Sequence, residues 1–235
     1  LLSDYQRLSQ DASKQAIIDL SNNAAYAADG TDLGLTAGAD FMREVSYSLM
    51  SYISAERVGE VHRTRYDDLM NQILNPGGHF AQVTTTVATL TYDTPPPTVV
   101  SGYKPFMCGL EMHALINAYD FLVDTRIPGA IKDMLDYLWN NAWYPNEGGA
   151  GKGAFRYLKT YDGLNDIVDP AAADLNLLIA PAFAWYYAYS REATYRDRGD
   201  EVWSNGVLYA DLGAAKRFNQ NYLWSPKYVT WRTGL

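Results

Sequence analysis

Acidic side chains in three places give this chain the groups that cleavage of a glycosidic bond requires. Hydrolysis needs two carboxyl groups, one that donates a proton and one that acts as base or nucleophile. Glu147 and Asp162 lie in a long segment without helical periodicity, residues 145–170, and Glu111 lies in an apolar segment before it. Glu147 with Asp162, or Glu147 with Glu111, could form such a pair, although neither spacing is diagnostic of a hydrolase.

A second reaction, β-elimination from a uronic acid, would use other residues of the same segments. It needs a tyrosine or histidine as base and an arginine or asparagine that neutralises the sugar carboxylate. Tyr161, Tyr157 or His113 could be the base. Arg156 and Asn146 could face the carboxylate. His113 also fits a hydrogen-bonded core histidine, because the helix predicted around it is mostly apolar.

Side chains that would contact a substrate belong to two long connections between helices, residues 79–103 and 145–170. They are polar or aromatic, as in clefts that bind sugars, and comprise His79, Tyr92, Tyr103, Asn146, Lys152, Arg156 and Tyr157. The loop acids, Asp162 included, also fit solvated surface carboxylates. The sequence does not choose between hydrolysis, elimination and binding alone.

The elements that must position these side chains are helices that pair in order along the chain. Residues 105–123 are apolar on nearly every side, whereas residues 129–143 are amphipathic. This combination predicts a buried inner helix joined by a short turn to an outer helix. Two further pairs show the same order, 36–57 with 63–74 and 171–191 with 195–210. The aromatic and polar tail, residues 216–231, is predicted to be a capping segment.

A degenerate repeat underlies the three helix pairs. Tyr52, Tyr119 and Tyr186 recur at equal spacing, each late in a predicted inner helix. Hairpins that recur at a fixed period stack into solenoids or close into toroids. We therefore predict an all-α fold of repeated inner and outer helical hairpins, in one domain over residues 1–235.

The predicted turns within hairpins are short, whereas the connections between hairpins, 79–103 and 145–170, are long. In an array of parallel hairpins both long connections emerge at one end, beside the N-termini of the inner helices. Loops of this length in a compact domain are usually functional or disordered. Residues 82–92 alternate and are rich in threonine and valine, which predicts a short strand or hairpin in the first loop. A cleft is therefore expected between these two loops.

Composition excludes several classes of partner and cofactor. The net charge of −8 and the pI near 4.8 argue against nucleic acid, whose phosphates require a basic face. Cys108 is the single cysteine, so the chain can form neither an internal disulfide nor a thiolate metal cluster. No apolar run approaches the ~20 residues that span a bilayer. The glycine-rich run 148–153 lacks the ending of a phosphate loop. We predict no cofactor and no metal.

The third predicted hairpin resembles those of the α/α-toroid carbohydrate-active proteins, the glycoside hydrolases and polysaccharide lyases built from rings of inner and outer helices. Residues 182–189, AFAWYYAY, form an aromatic inner helix, and residues 193–200, ATYRDRGD, begin its outer partner. The likeness covers residues 37–210 at the level of fold, and no catalytic signature of one family is present. The chain has too few hairpins for a closed ring, so an incomplete toroid or arc is expected.

This resemblance implies a polysaccharide or oligosaccharide partner and an extracellular or periplasmic location. The chain opens with Leu1 rather than Met, so we expect it to belong to a longer or processed polypeptide. A competing interpretation is a non-enzymatic structural or interaction module of an extracellular assembly. The 19 tyrosines and the incomplete ring favour contacts in a homo-oligomer or with flanking domains of the same polypeptide.

Overall fold

The computed structural model of this chain describes residues 1–92, 98–147, 149–162, 172–210, 213 and 215–234, which are mostly helical. Its α-helices are α1 (Leu2–Leu8), α2 (Asp11–Asn23), α3 (Met42–Arg57), α4 (Thr64–Leu74), α5 (His79–Thr84), α6 (Pro105–Leu122), α7 (Ile127–Ala142), α8 (Ala173–Asn176), α9 (Ala180–Ser190), α10 (Ala193–Tyr209) and α11 (Ala215–Thr233). Short 3₁₀ turns at Ala25–Ala27, Leu33–Thr36 and Ala39–Phe41 join α2 to α3. No helix in the described ranges has both the length and the apolar character that a membrane crossing requires.

Helix α6 lies at the centre of the core and packs against α3 and α9. It is buried along its first four turns because its sequence offers almost no polar face. Its hairpin partner α7 buries one face, with Ile131, Leu135 and Leu138 completely enclosed, and exposes the other. The prediction of an enclosed helix followed by an amphipathic one is confirmed for this pair. Helices α3 with α4, and α9 with α10, also contact each other as neighbours in the chain.

The predicted helix over residues 171–191 is wrong in one respect, because a turn at residues 177–179 divides it into α8 and α9. Pro181 stands in the first turn of α9, where its missing N–H leaves no helical hydrogen bond unmade. At this turn α6 approaches closely. A Cβ added at Gly109 would lie 2.4 Å from the carbonyl oxygen of Leu178, so this contact tolerates only glycine.

The strands lie in the two long connections. They are β1 (Thr89–Tyr92), β2 (Thr98–Tyr103), β3 (Trp143–Tyr144), β4 (Ala154–Phe155) and β5 (Lys159–Thr160). β1 and β2 form an antiparallel hairpin, as the first loop predicts, but residues 82–84 of the alternating segment belong to α5. β2 also pairs with β5, which places Gly102 opposite Thr160 and Tyr103 opposite Lys159. The two long connections therefore meet at one end of the helices.

Polar clusters fix the outer helices to one another. Asp136 of α7 accepts hydrogen bonds from Lys132 at 2.8 Å, from the Tyr195 hydroxyl at 2.9 Å and from Arg198 at 2.8 Å. Burial raises the pKa of Asp136, but these three donors outweigh it, so the pKa lies below its usual value. Because Tyr195 and Arg198 belong to α10, the cluster holds the second hairpin to the third.

The predicted capping tail is a single helix, α11, that packs against α9. Arg232 donates two hydrogen bonds to the Asp200 carboxylate of α10, at 2.7 and 2.8 Å, and the Tyr228 hydroxyl donates to the same group. Trp203 stacks on Tyr228, with ring centroids 5.2 Å apart. The tail thus closes one side of the core, as its predicted role requires.

Candidate functional site

The junction between β2 and β5 brings the two predicted loops into one surface. A Cβ added at Gly102 would lie 2.4 Å from the carbonyl oxygen of Lys159, so glycine is needed for the strands to approach. The Tyr161 hydroxyl donates a hydrogen bond to the Val83 carbonyl at 3.1 Å. Burial raises the Tyr161 pKa, which keeps this hydroxyl protonated. Tyr161 therefore anchors the second loop to α5, and its proton is engaged in that anchor.

Glu147 and Arg156 form a bidentate ion pair across the β3–β4 hairpin. Arg156 Nε lies 2.9 Å from Glu147 Oε1, and Nη2 lies 3.2 Å from Oε2. The guanidinium carbon is 4.1 Å from the ring centroid of Tyr144, and Lys159 Nζ is 5.8 Å from the same centroid. Two cations are thus held against one half-buried aromatic ring, a favourable cation–π arrangement.

Tyr157, the residue after Arg156, forms a second aromatic position. Its side chain is 37% exposed, its ring lies 5.3 Å from that of Phe106, and Lys104 Nζ is 5.5 Å from its centroid. Burial and the neighbouring charge of Arg43 lower the Lys104 pKa. We use the name loop face for the surface made by Lys104, Tyr144, Glu147, Arg156, Tyr157 and Lys159.

The glycine-rich run serves the turn between β3 and β4. Gly149 and Gly151 have φ values of +114° and +73°, which favour glycine. The Asn146 side chain accepts a hydrogen bond from the Gly151 amide at 2.8 Å, so this candidate ligand for a substrate stabilises the turn. Lys152 Nζ lies 5.0 Å from the ring centroid of Tyr209, at the end of α10. Asn146 and Lys152 are exposed.

Two other candidate residues lie at the edges of the described ranges, Asp162 in the second loop and Tyr92 in the first. Asp162 is exposed and interacts with other groups of the protein. Tyr92 ends β1, but its side chain lies outside the described part of the chain, as do residues 163–170 of the predicted second loop.

Glu111 and His79 are in the interior and face each other. His79 Nδ1 lies 2.5 Å from Glu111 Oε1, His79 Nε2 lies 2.7 Å from the Thr36 carbonyl oxygen, and both side chains are 0% exposed. Burial lowers the His79 pKa, but Glu111 and the Thr36 carbonyl outweigh it, so the pKa is raised. Burial also raises the Glu111 pKa, despite the attraction of His79.

Glu111 and His113, the candidate acid and the candidate base of α6, do not point into one space. Residues two apart on a helix lie on nearly opposite faces. His113 is 0% exposed and stacks on Trp224 of α11, with ring centroids 3.7 Å apart. Neither of its ring nitrogens has a hydrogen-bond partner among the described residues, and burial holds its pKa well below the usual value. It is a core histidine, but one without the expected hydrogen bond.

Tyr103 is also an interior residue. It is 1% exposed, and its ring lies 5.9 Å from that of Tyr137 and 5.7 Å from that of Tyr161. Burial raises its pKa far above the usual value. His79, Tyr103, Glu111 and His113 are therefore enclosed in this conformation and do not reach the surface on which Arg156 and Tyr157 lie.

The arrangement at the surface can bind anions better than it can transfer protons. At this surface the predicted residues Glu147, Arg156 and Tyr157 lie together with Lys159 and Tyr144. Tyr144 was not predicted from the sequence. Its position next to Pro145, where the amphipathic helix ends and the long loop begins, is the signal that could have indicated it.

Among the described residues, no three His, Cys, Asp or Glu side chains group as metal ligands. Cys108 is fully buried.

Comparison with known proteins gives no match to a family model, to a curated protein or to a solved structure.

Proposed function

We propose that this protein binds an acidic polysaccharide or oligosaccharide, one that contains uronic acids, on the loop face. Binding, rather than cleavage, is the function that the geometry supports best. The observation that carries the proposal is the pairing of two tyrosine rings, Tyr144 and Tyr157, with cations of the same loops. We further propose that it acts outside the cell or in the periplasm.

The chemistry of a uronate chain complements this surface. Each sugar presents an apolar face, which stacks on aromatic rings, and a carboxylate, which pairs with lysine or arginine. The loop face carries three cations, Lys104, Arg156 and Lys159, and one carboxylate, Glu147. Two further carboxylates, Asp40 and Glu44, also act on Lys104, and the net charge of the chain is −8. The individual cations, rather than the net charge of the chain, would therefore pair with the sugar carboxylates.

The positions of the carboxylates favour binding without cleavage. The candidate acid Glu111 is enclosed beside His79, and Glu147 is held by two hydrogen bonds from Arg156. The tyrosine base of an elimination is also engaged, because the Tyr161 hydroxyl donates to a backbone carbonyl. Cleavage by either predicted route would require these contacts to rearrange.

The contacts among helices support an incomplete α/α toroid as the arrangement of the hairpins. Helix α3 packs on α6, and α6 packs on α9, so the three inner helices follow one another in order. Their partners α4, α7 and α10 follow them in the chain. An open arc of this kind leaves the N-terminal ends of inner helices beside the long loops, where we place the carbohydrate.

The test is a calorimetric titration with galacturonate oligomers and with neutral maltose oligomers of the same length. We expect binding of the acidic oligomers only, and we expect Lys159→Gln and Tyr157→Ala to weaken it by about fivefold to tenfold each. The control variants are Arg196→Gln and Tyr189→Ala. They change an exposed cation of α10 and an exposed tyrosine of α9, both outside the loop face. Mass spectrometry of the same samples should show uncut oligomers.

Three results would contradict the proposal. Equal binding of neutral and acidic oligomers would remove the role of charge, and new chain ends in the mass spectra would indicate an enzyme. Absence of any binding, together with a large regular oligomer in light scattering, would instead favour a structural module of an assembly.

A further inference from the structure

A cavity of about 300 Å³ lies at the other end of the inner helices, away from the loop face. It is formed by the C-terminal half of α3, by α6, by α11 and by the first residue of α1. Met50, Ile53, Leu223 and Trp224 give it apolar walls, and Arg57 and Lys227 contribute the charged groups. Cavities of this size with few polar groups are typical of small-molecule sites.

The two cations of this cavity lie against aromatic rings and form no ion pair with a carboxylate of the described residues. Arg57 lies against Phe121, 5.6 Å from its ring centroid, and Lys227 Nζ lies 4.6 Å from that of Trp224. Among the described residues neither side chain forms a hydrogen bond or an ion pair. The carboxylate that acts on them is the exposed Asp120, which attracts both from a distance.

The environment of Lys227 is unfavourable for its charge. Burial and the positive charge of Arg57 lower its pKa, and the attraction of Asp120 does not compensate. A half-buried ammonium group next to a guanidinium group, with no anion between them, gains stability from any anion that enters. This is the charge complementarity that a ligand would supply.

A second cavity of about 300 Å³ adjoins the first and has no charged side chain. The two share Leu2, Met50 and Ser54, and the second continues to Ile17 and Leu20 of α2. Helix α1 lies beside both cavities and has no buried residue of its own. The combined space is cationic at one end and apolar at the other.

We propose that these adjoining cavities bind an amphipathic monoanion, a carboxylate with an unbranched alkyl chain. The carboxylate lies between Arg57 and Lys227, and the chain passes Met50 and Ser54 beneath α1. The site is separate from the loop face and does not depend on the function proposed there.

The test is a calorimetric titration of the whole protein with dodecanoate. We expect saturable binding of one equivalent, with affinity that falls roughly fourfold for each methylene removed in a series of shorter carboxylates. Dodecanol and dodecyltrimethylammonium should bind at least tenfold more weakly, because they lack the anionic group. Far-ultraviolet circular dichroism would establish that each variant is folded.

Variants separate the two ends of the site. Arg57→Gln and Lys227→Gln should each weaken dodecanoate about tenfold while leaving dodecanol unaffected. Ser54→Leu, which narrows the passage between the cavities, should weaken dodecanoate but not short carboxylates. Arg196→Gln, a change to a surface cation of α10, is the matched control and should have no effect.

The proposal is overturned if dodecanol binds as tightly as dodecanoate, or if Lys227→Gln leaves the dodecanoate affinity unchanged. A membrane surface is the competing source of the same chemistry. Sedimentation of the protein with phosphatidylglycerol vesicles, combined with no saturable binding of dodecanoate in solution, would overturn the proposal of a soluble ligand in favour of a lipid bilayer.

Discussion

The imidazole of His79 and the carboxylate of Glu111 lie 2.5 Å apart with no exposure to solvent. The structure thus encloses an acid and a base together, and each depends on the other for a hydrogen bond. A buried pair of this kind costs free energy to break, because removal of one partner leaves the other buried alone. It is a structural contact between α5 and α6.

The first prediction concerns the pH dependence of stability in Glu111→Gln. In the native protein the raised His79 pKa contributes stability below its ordinary value of 6.5, which is lost as the pH rises through the raised pKa. The raised Glu111 pKa acts in the same direction. Glutamine can still hydrogen-bond to neutral His79, but it offers no charge to the protonated form. The variant should therefore lose stability, relative to the native protein, as the pH falls.

Urea unfolding at about pH 8 and about pH 5.5 measures this difference, which we expect to grow by about 1 kcal/mol toward acid. A constant difference between the two proteins at both pH values would show that the pair carries no titratable charge.

The second prediction compares two glycines of neighbouring helices. Gly109→Ala should destabilise the protein by about 2–3 kcal/mol, because the new methyl group would meet the Leu178 carbonyl oxygen. Gly129→Ala, in α7, has no atom within 4 Å of the new Cβ and should be neutral or stabilising by up to about 1 kcal/mol. Thermal unfolding of both variants checks the difference, and equal effects would contradict the close approach of α6 to the turn before α9.

The third prediction concerns the cluster that joins α7 to α10. Asp136→Asn should reduce the free energy of unfolding by about 1–2 kcal/mol near neutral pH, a value discounted for the partial exposure of the group. The lowered Asp136 pKa contributes stability above the ordinary value of 3.8, and this is lost as the pH falls through the lowered pKa. Asp133→Asn alters an exposed carboxylate of the same helix and should have little effect. Equal losses in both variants would refute the link.

The fourth prediction concerns His113, whose ring nitrogens are buried without partners among the described residues. His113→Phe should stabilise the protein by about 1 kcal/mol near neutral pH, because it removes an unsatisfied polar group and keeps the stack on Trp224. Its lowered pKa means that stability is lost as the pH falls below 6.5, and the variant should lose less. A destabilised variant with an unchanged acid profile would show that His113 has a partner after all.

The helices that could be predicted best are those whose periodicity is simple. Helix α7 was expected over 129–143 and lies at Ile127–Ala142, because a single apolar stripe fixes which residues turn inward. The break between α8 and α9 escaped prediction, since apolar residues continue through it. Pro181 indicates the start of a new helix there, but the continuous apolar run favours a single helix.

The candidate site was predicted only in part, for a reason that belongs to α6. An enclosed helix has no surface side, so periodicity could not tell whether Glu111 and His113 faced a cleft or the core. The pairing of β2 with β5 could not be predicted from local sequence patterns either, because the two strands lie far apart in the chain. Membership of a long loop did not decide exposure either, because Tyr157 is exposed whereas Tyr103 of the other loop is enclosed.

The pairing of β2 with β5 has a consequence for synthesis of the chain. Residues 98–103 leave the ribosome well before residues 159–160, with the whole α6–α7 hairpin between them. Until the later strand arrives, the nascent chain carries an uncovered strand edge, the kind of edge to which another chain can add. The edge of β2 at Gly102 and Tyr103 therefore stays uncovered during synthesis until Lys159 and Thr160 have left the ribosome and paired with it.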